Sequence, residues 1–89
     1  MSKVKIELSK PVEFADDVIT HLELREPVGA DFASFPLKSE MAAGDFVKIG
    51  MKLANQSSVV GDKLSIPDYF KVVEVVADFL NDSHQTGKN

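Results

Sequence analysis

Eighty-nine residues with no cysteine, and fourteen acidic against ten basic side chains for a formal charge of −4, suffice for one small domain and exclude disulfides and thiolate metal centres. The charge is spread rather than clustered: Lys3, Lys5 and Lys10 stand among Glu7, Glu13, Asp16 and Asp17, which argues against a nucleic-acid partner that needs a concentrated positive footprint. No apolar run approaches the roughly 20 residues of a membrane span, and the interleaved charges of MSKVKIELSKP do not make a secretory signal.

The first element is a strand. Val4, Ile6 and Leu8 alternate with Lys3, Lys5 and Glu7, and the even-numbered parity resumes at Val12 and Phe14 beyond Pro11. Pro11 donates no N–H, so it belongs at an outward-facing edge position or in a bulge. Ala15, Asp16 and Asp17 form a short polar link, and Val18, Thr20, Leu22 and Leu24 then alternate through a second strand that Pro27 ends. Matching the apolar sets across the hairpin predicts Phe14 opposite Val18, Val12 opposite Thr20 and Leu8 opposite Leu24, with Glu7 opposite Arg25 on the other face.

Helical patterns follow. VGADFASFP has room for one or two turns, with Phe32 and Phe35 three apart and Pro36 as terminator. A longer helix spans about Asp45 to Asn55, with Phe46, Ile49, Gly50 and Leu53 on one face, Asp45 early and Lys52 late as the helix dipole favours. The polar stretch from Asn55 to Asp62 reads as a loop. The last helix opens at Ser65, three residues before Asp68, with Pro67 in its first turn. The fold class is therefore α+β: a hairpin over about 3–14 and 18–25, a short helix and two longer helices, in one domain over 1–82 with a disordered tail over 83–89.

That last helix is apolar over roughly 220° of its circumference, more than one core contact requires. Tyr69, Val73, Val76 and Leu80 form the middle of the stripe, Val75 and Phe79 one flank and Phe70 the other. Either the sheet and the other helices cover all of it, or part of it is an interface with another chain.

Catalytic patterns are weak. Asp16 and Asp17 suit a turn. His21 and Glu23 on the outer strand face would hold a metal only with a third ligand from elsewhere, for instance across a subunit interface. His84 lies in the tail, Ser57 and Ser58 have no base beside them, and no glycine-rich loop opens a helix. The chain reads as a non-catalytic protein that requires no cofactor or metal.

LELREP at Leu22 to Pro27, with the hairpin before it, Asp31 after it, and a final helix led in by Asp68 and ending in Phe79-Leu80, resembles the small tail assembly chaperones of Mu-like and related contractile-tailed bacteriophages. Leu22, Leu24, Arg25, Pro27, Asp31 and Asp68 carry the resemblance as structural residues. Two features depart from that family: Val28 stands where a polar capping residue is common, and the hairpin turn lacks glycine. The resemblance implies a factor that binds the tape measure protein in the host cytoplasm and is absent from the mature virion. It also implies a frameshift-extended sister product, for which Lys88-Asn89 is compatible with an adenine-rich slip site, while the small core and the wide apolar face of the last helix leave room for self-association. On this reading Phe70, Val75 and Phe79 bind the client or sister subunits; the alternative is a general small adaptor or antitoxin-like module unrelated to tails.

Overall fold

The computed structural model describes residues 3–32 and 42–85. Their order is β1 (Lys3–Phe14), β2 (Asp17–Arg25), a 3-10 turn (Gly29–Phe32), α1 (Ala43–Leu53), α2 (Ser58–Asp62) and α3 (Ile66–Gln85). An antiparallel hairpin followed by helices is the expected α+β arrangement. Phe35 and Pro36, read as the end of a short helix, and the last residues of the expected tail, 86–89, lie outside the described residues.

The hairpin departs from the expected register. Ile6 pairs with Leu22, Val4 with Leu24 and Glu7 with His21, whereas nearer the turn Val12 pairs with Ile19 and Phe14 with Asp17. Between these two stretches β1 holds Leu8, Ser9, Lys10 and Pro11 while β2 holds Thr20 alone. The three surplus residues form a bulge, which contains Pro11 as its missing donor demands. Because three is odd, the partner of an even-numbered β1 residue changes from even to odd on β2. Thus Leu8 does not face Leu24, and Arg25 stands opposite Lys3 rather than Glu7.

The turn is a two-residue loop, Ala15-Asp16, with Ala15 at φ 56°. A positive φ at the first central position is where hairpins favour glycine, because a Cβ there crowds the following carbonyl.

The helices are delimited by local hydrogen bonds. Asp45 Oδ2 accepts from the Ala42 N–H at 3.1 Å, the back-reaching half of a capping box whose other half alanine cannot supply. α1 closes through Asn55 at φ 59°, with the Gln56 N–H donating to the Met51 carbonyl at 2.8 Å and the Asn55 N–H to that of Lys52 at 3.1 Å. This is the Schellman pattern, with asparagine in the position usually held by glycine.

α2 replaces the loop expected over Asn55 to Asp62. Ser57 Oγ caps it by accepting from the Val59 N–H at 3.1 Å. Gly61 is helical rather than part of a turn: a Cβ there would stand 2.7 Å from Val47 Cγ1, so only glycine lets the two helices approach this closely. The same holds where α1 meets α3, since a Cβ on Gly50 would stand 2.5 Å from Val72 Cγ1 and 3.2 Å from Val76 Cγ2.

The core joins Ile6, Val12, Leu22 and Leu24 of the hairpin to Val47, Ile49, Met51 and Leu53 of α1, Val60 and Leu64 beyond it, and Val72 and Val76 of α3. α3 continues to Gln85, past the Asp82 boundary expected for the tail. Its inward midline is Asp68, Val72 and Val76, all fully buried, whereas Tyr69, Val73 and Leu80 of the expected midline are half-buried. The helix is rotated from the purely apolar expectation because a carboxylate stands at the centre of its buried face.

Ala15→Gly should stabilise the fold by about 1 kcal/mol, read as a rise in Tm of roughly 4–8 °C. Gly50→Ala should destabilise it by about 1–3 kcal/mol through overpacking. Val72→Ala in the same chain removes the atom the new methyl meets, so in urea titrations the double variant should lose less than the two single losses added together.

Candidate functional site

The residues singled out by sequence fall into three places. At the end of β2, Arg25 turns its guanidinium onto Asp31 of the 3-10 turn, Nη2 to Oδ1 at 2.6 Å and Nη1 to Oδ2 at 2.9 Å. Asp31 Oδ2 also accepts from the Val28 N–H at 2.7 Å, the back-reaching half of a capping box whose forward half the valine side chain cannot supply. Lys52 of α1 donates to the Asp31 carbonyl at 2.8 Å. The cluster ties strand, turn and α1 together while the neighbouring Leu22 and Leu24 enter the core and Pro27 is half-buried. The hydrogen bonds from Arg25, opposed by burial and reinforced by the Val28 N–H and the charges of Arg25 and Lys52, hold the Asp31 carboxyl down at about 2.

The second place is the β1 bulge. Asp68 accepts from the Ser9 N–H at 2.9 and 3.0 Å through its two oxygens, and from the Lys10 N–H at 3.3 Å. The hydroxyls of Ser65 and Ser9 reach Oδ2 at 2.9 and 3.2 Å. Burial opposes ionisation of this carboxyl, but the bonds from Ser9, Ser65 and Lys10 together outweigh it and its pKa is lowered. Among the described residues no buried side-chain polar atom lacks a partner. Both buried aspartates are therefore satisfied structural acids.

The third place is the outer side of α3. Phe70 is 53% exposed and Ile66 67% exposed, while Val73, Ala77 and Leu80 are half-buried beside them. Tyr69 sets its ring edge-on to Phe70, with centroids 6.1 Å apart. Val75 and Phe79, grouped with Phe70 by sequence, lie on another side of the helix and pack against the core. The structure therefore separates the three: Phe70 faces outward with Ile66, and the half-buried Val73, Ala77 and Leu80 border them, Val73 and Leu80 also reaching the core. Their spacing of four, three, four and three was visible in the sequence, but it is obscured there by the buried apolar residues interleaved with it.

His21 is exposed on the hairpin, with Nδ1 3.4 Å from Thr20 Oγ1. Among the described residues no group of three or more histidines and acids is placed to hold a metal, and no helix is long and apolar enough to cross a membrane. Comparison with known protein families, curated proteins and solved structures finds no match for the chain.

A carboxylate whose pKa is depressed by folding contributes its full stabilisation above the unfolded value, near 3.9, and loses it as pH falls through the folded value. For Asp31 that window runs from about 4 to about 2, and Asp68 acts in the same direction. Asp68→Asn should therefore cost about 2 kcal/mol or more at pH 7, where a charged acceptor is replaced by an amide that turns N–H against N–H. Denaturant titrations at pH 7 and pH 3 should also show a smaller acid-induced loss in this variant than in the wild type.

Proposed function

We propose that the chain is a tail assembly chaperone of a contractile-tailed phage or prophage: a non-catalytic protein that binds the tape measure protein in the host cytoplasm, keeps it soluble until the tail tube polymerises around it, and is left out of the virion. The observation that carries the reading is the apolar patch on α3 that the domain's own core does not cover: Phe70 and Ile66 are more than half exposed, with half-buried Val73, Ala77 and Leu80 continuing the same side of the helix. A long helical client is held by apolar surface offered along a helix or groove, and the first turns of α3 offer it at Ile66 and Phe70. The resemblance around LELREP supplies the link to phage tails. Arg25, Asp31 and Asp68 have sufficient structural work in the hydrogen bonds described above, which leaves binding to the α3 surface.

Co-expression with the tape measure protein of the same phage tests this. The wild type should carry the client into the soluble fraction as a complex, and Phe70→Asp should lose the complex while its circular dichroism and Tm stay near those of the wild type. No effect of the wild-type chain on client solubility would sink the chaperone reading in favour of a general adaptor.

A further inference from the structure

We infer that the partner on α3 is a single helix with its own four-three apolar repeat, flanked by lysine or arginine; this rests on the reading of the domain as a holder of helical clients. Ile66, Phe70, Val73, Ala77 and Leu80 follow one another at intervals of four, three, four and three residues; Ile66 and Phe70 stand clear of the domain, while Val73 and Leu80, half-buried, touch its core along one edge of the seam. That repeat keeps one seam facing a neighbouring helix and is the pattern of knobs-into-holes packing. A strand or an extended peptide has no matching period.

The charges beside the seam choose among helices. At about 100° per residue, Glu74 lies roughly 80° from the middle of the seam, Asp78 roughly 120° and Lys71 roughly 140°, and all three are exposed. The nearest charge is thus acidic, on a chain whose formal charge is −4, and neither Glu74 nor Asp78 forms an ion pair among the described residues. A second copy of α3 fits poorly. Laid antiparallel, with Phe70 over Leu80 and Val73 over Ala77 of the other copy, it brings Glu74 next to its own symmetry mate. Like charges facing each other oppose that pairing. Laid parallel, Glu74 faces Tyr69 of the other copy, which offers no counter-charge, whereas lysine or arginine beside the partner's seam complements Glu74.

The probes are two hydrocarbon-stapled helical peptides of about 18 residues, on the order of 27 Å and long enough to cover the seam. They share one leucine seam and differ only in flanking positions, all lysine or all glutamate. Fluorescence anisotropy against the full chain should give about tenfold tighter binding of the lysine peptide at low salt, with the gap narrowing at high salt. Glu74→Lys should shrink or reverse the preference. Phe70→Asp and Ile66→Asp, both at exposed positions, should each abolish binding.

Equal affinity for the two peptides would overturn the basic-flank assignment, and undiminished binding by both seam variants would overturn the site. Sedimentation showing a wild-type dimer that dissociates in Phe70→Asp, with neither peptide binding, would give the seam to a second copy instead. If the lysine peptide binds as expected but co-expression leaves the tape measure protein insoluble, the helix site stands and the chaperone reading falls.

Discussion

Two backbone N–H groups in the middle of β1, those of Ser9 and Lys10, fall in a stretch where four residues face a single residue of β2, and the side chain that accepts from them belongs to the far end of the chain. A buried amide without an acceptor costs on the order of 1–3 kcal/mol, so the bulge is tenable because Asp68 is there. Asp68 is tenable in turn because charge-assisted bonds from two backbone amides and two hydroxyls replace the water it gives up. The bulge reverses the strand parity, which sets which residues of the hairpin reach the core. The carboxylate also fixes the rotation of α3, since it must point at the bulge while Val72 and Val76 follow it inward at intervals of four.

The remaining contacts are arranged around that anchor. α1 lies between α2 and α3 and meets both across glycine, Gly61 on one side and its own Gly50 on the other, so side chains of the facing helix sit almost on backbone. The close approach allows a small chain to pack two fully buried valines of α3 against α1 without a bulky residue between them. At the other end, Arg25, Asp31 and Lys52 bind the exit of β2 to α1. Asp31 does two jobs there: it pairs with the guanidinium and satisfies the first orphan N–H of the 3-10 turn.

Most of the fold was legible because it follows from periodicity. Two-residue alternation marked both strands, the proline in β1 required an edge or bulge, and Ser65, Pro67 and Asp68 marked the start of α3. What was not legible depends on contacts between distant residues. An intact hairpin and a bulged one carry the same alternation, and the surplus of three residues is visible only once Ser9 and Lys10 find Asp68, more than fifty residues away. α2 is little more than one turn long, too short for a period to register, and its glycine looked like a turn signal because nothing local says that Val47 and Met51 will press against it. The exposed side of α3 was half legible. Phe70 stood apart in sequence, but assigning Val75 and Phe79 to the same surface assumed an apolar midline for α3, and a buried aspartate on that midline rotates them onto the core.

That rotation links the anchor to the proposed function. α3 carries two apolar stripes, one through Val72 and Val76 and one through Phe70, Val73 and Ala77, and hydrophobicity alone does not decide which of them faces the core. Burying the second stripe would leave Val72 and Val76 in water and take Asp68 away from the amides that donate to it. Because an amide left without its acceptor costs on the order of 1–3 kcal/mol, and Val72 and Val76 would lose their burial as well, the polar contact decides the outcome. The helix is held with Ile66 and Phe70 outward, and the domain can expose them without a competing inward rotation of α3 hiding them.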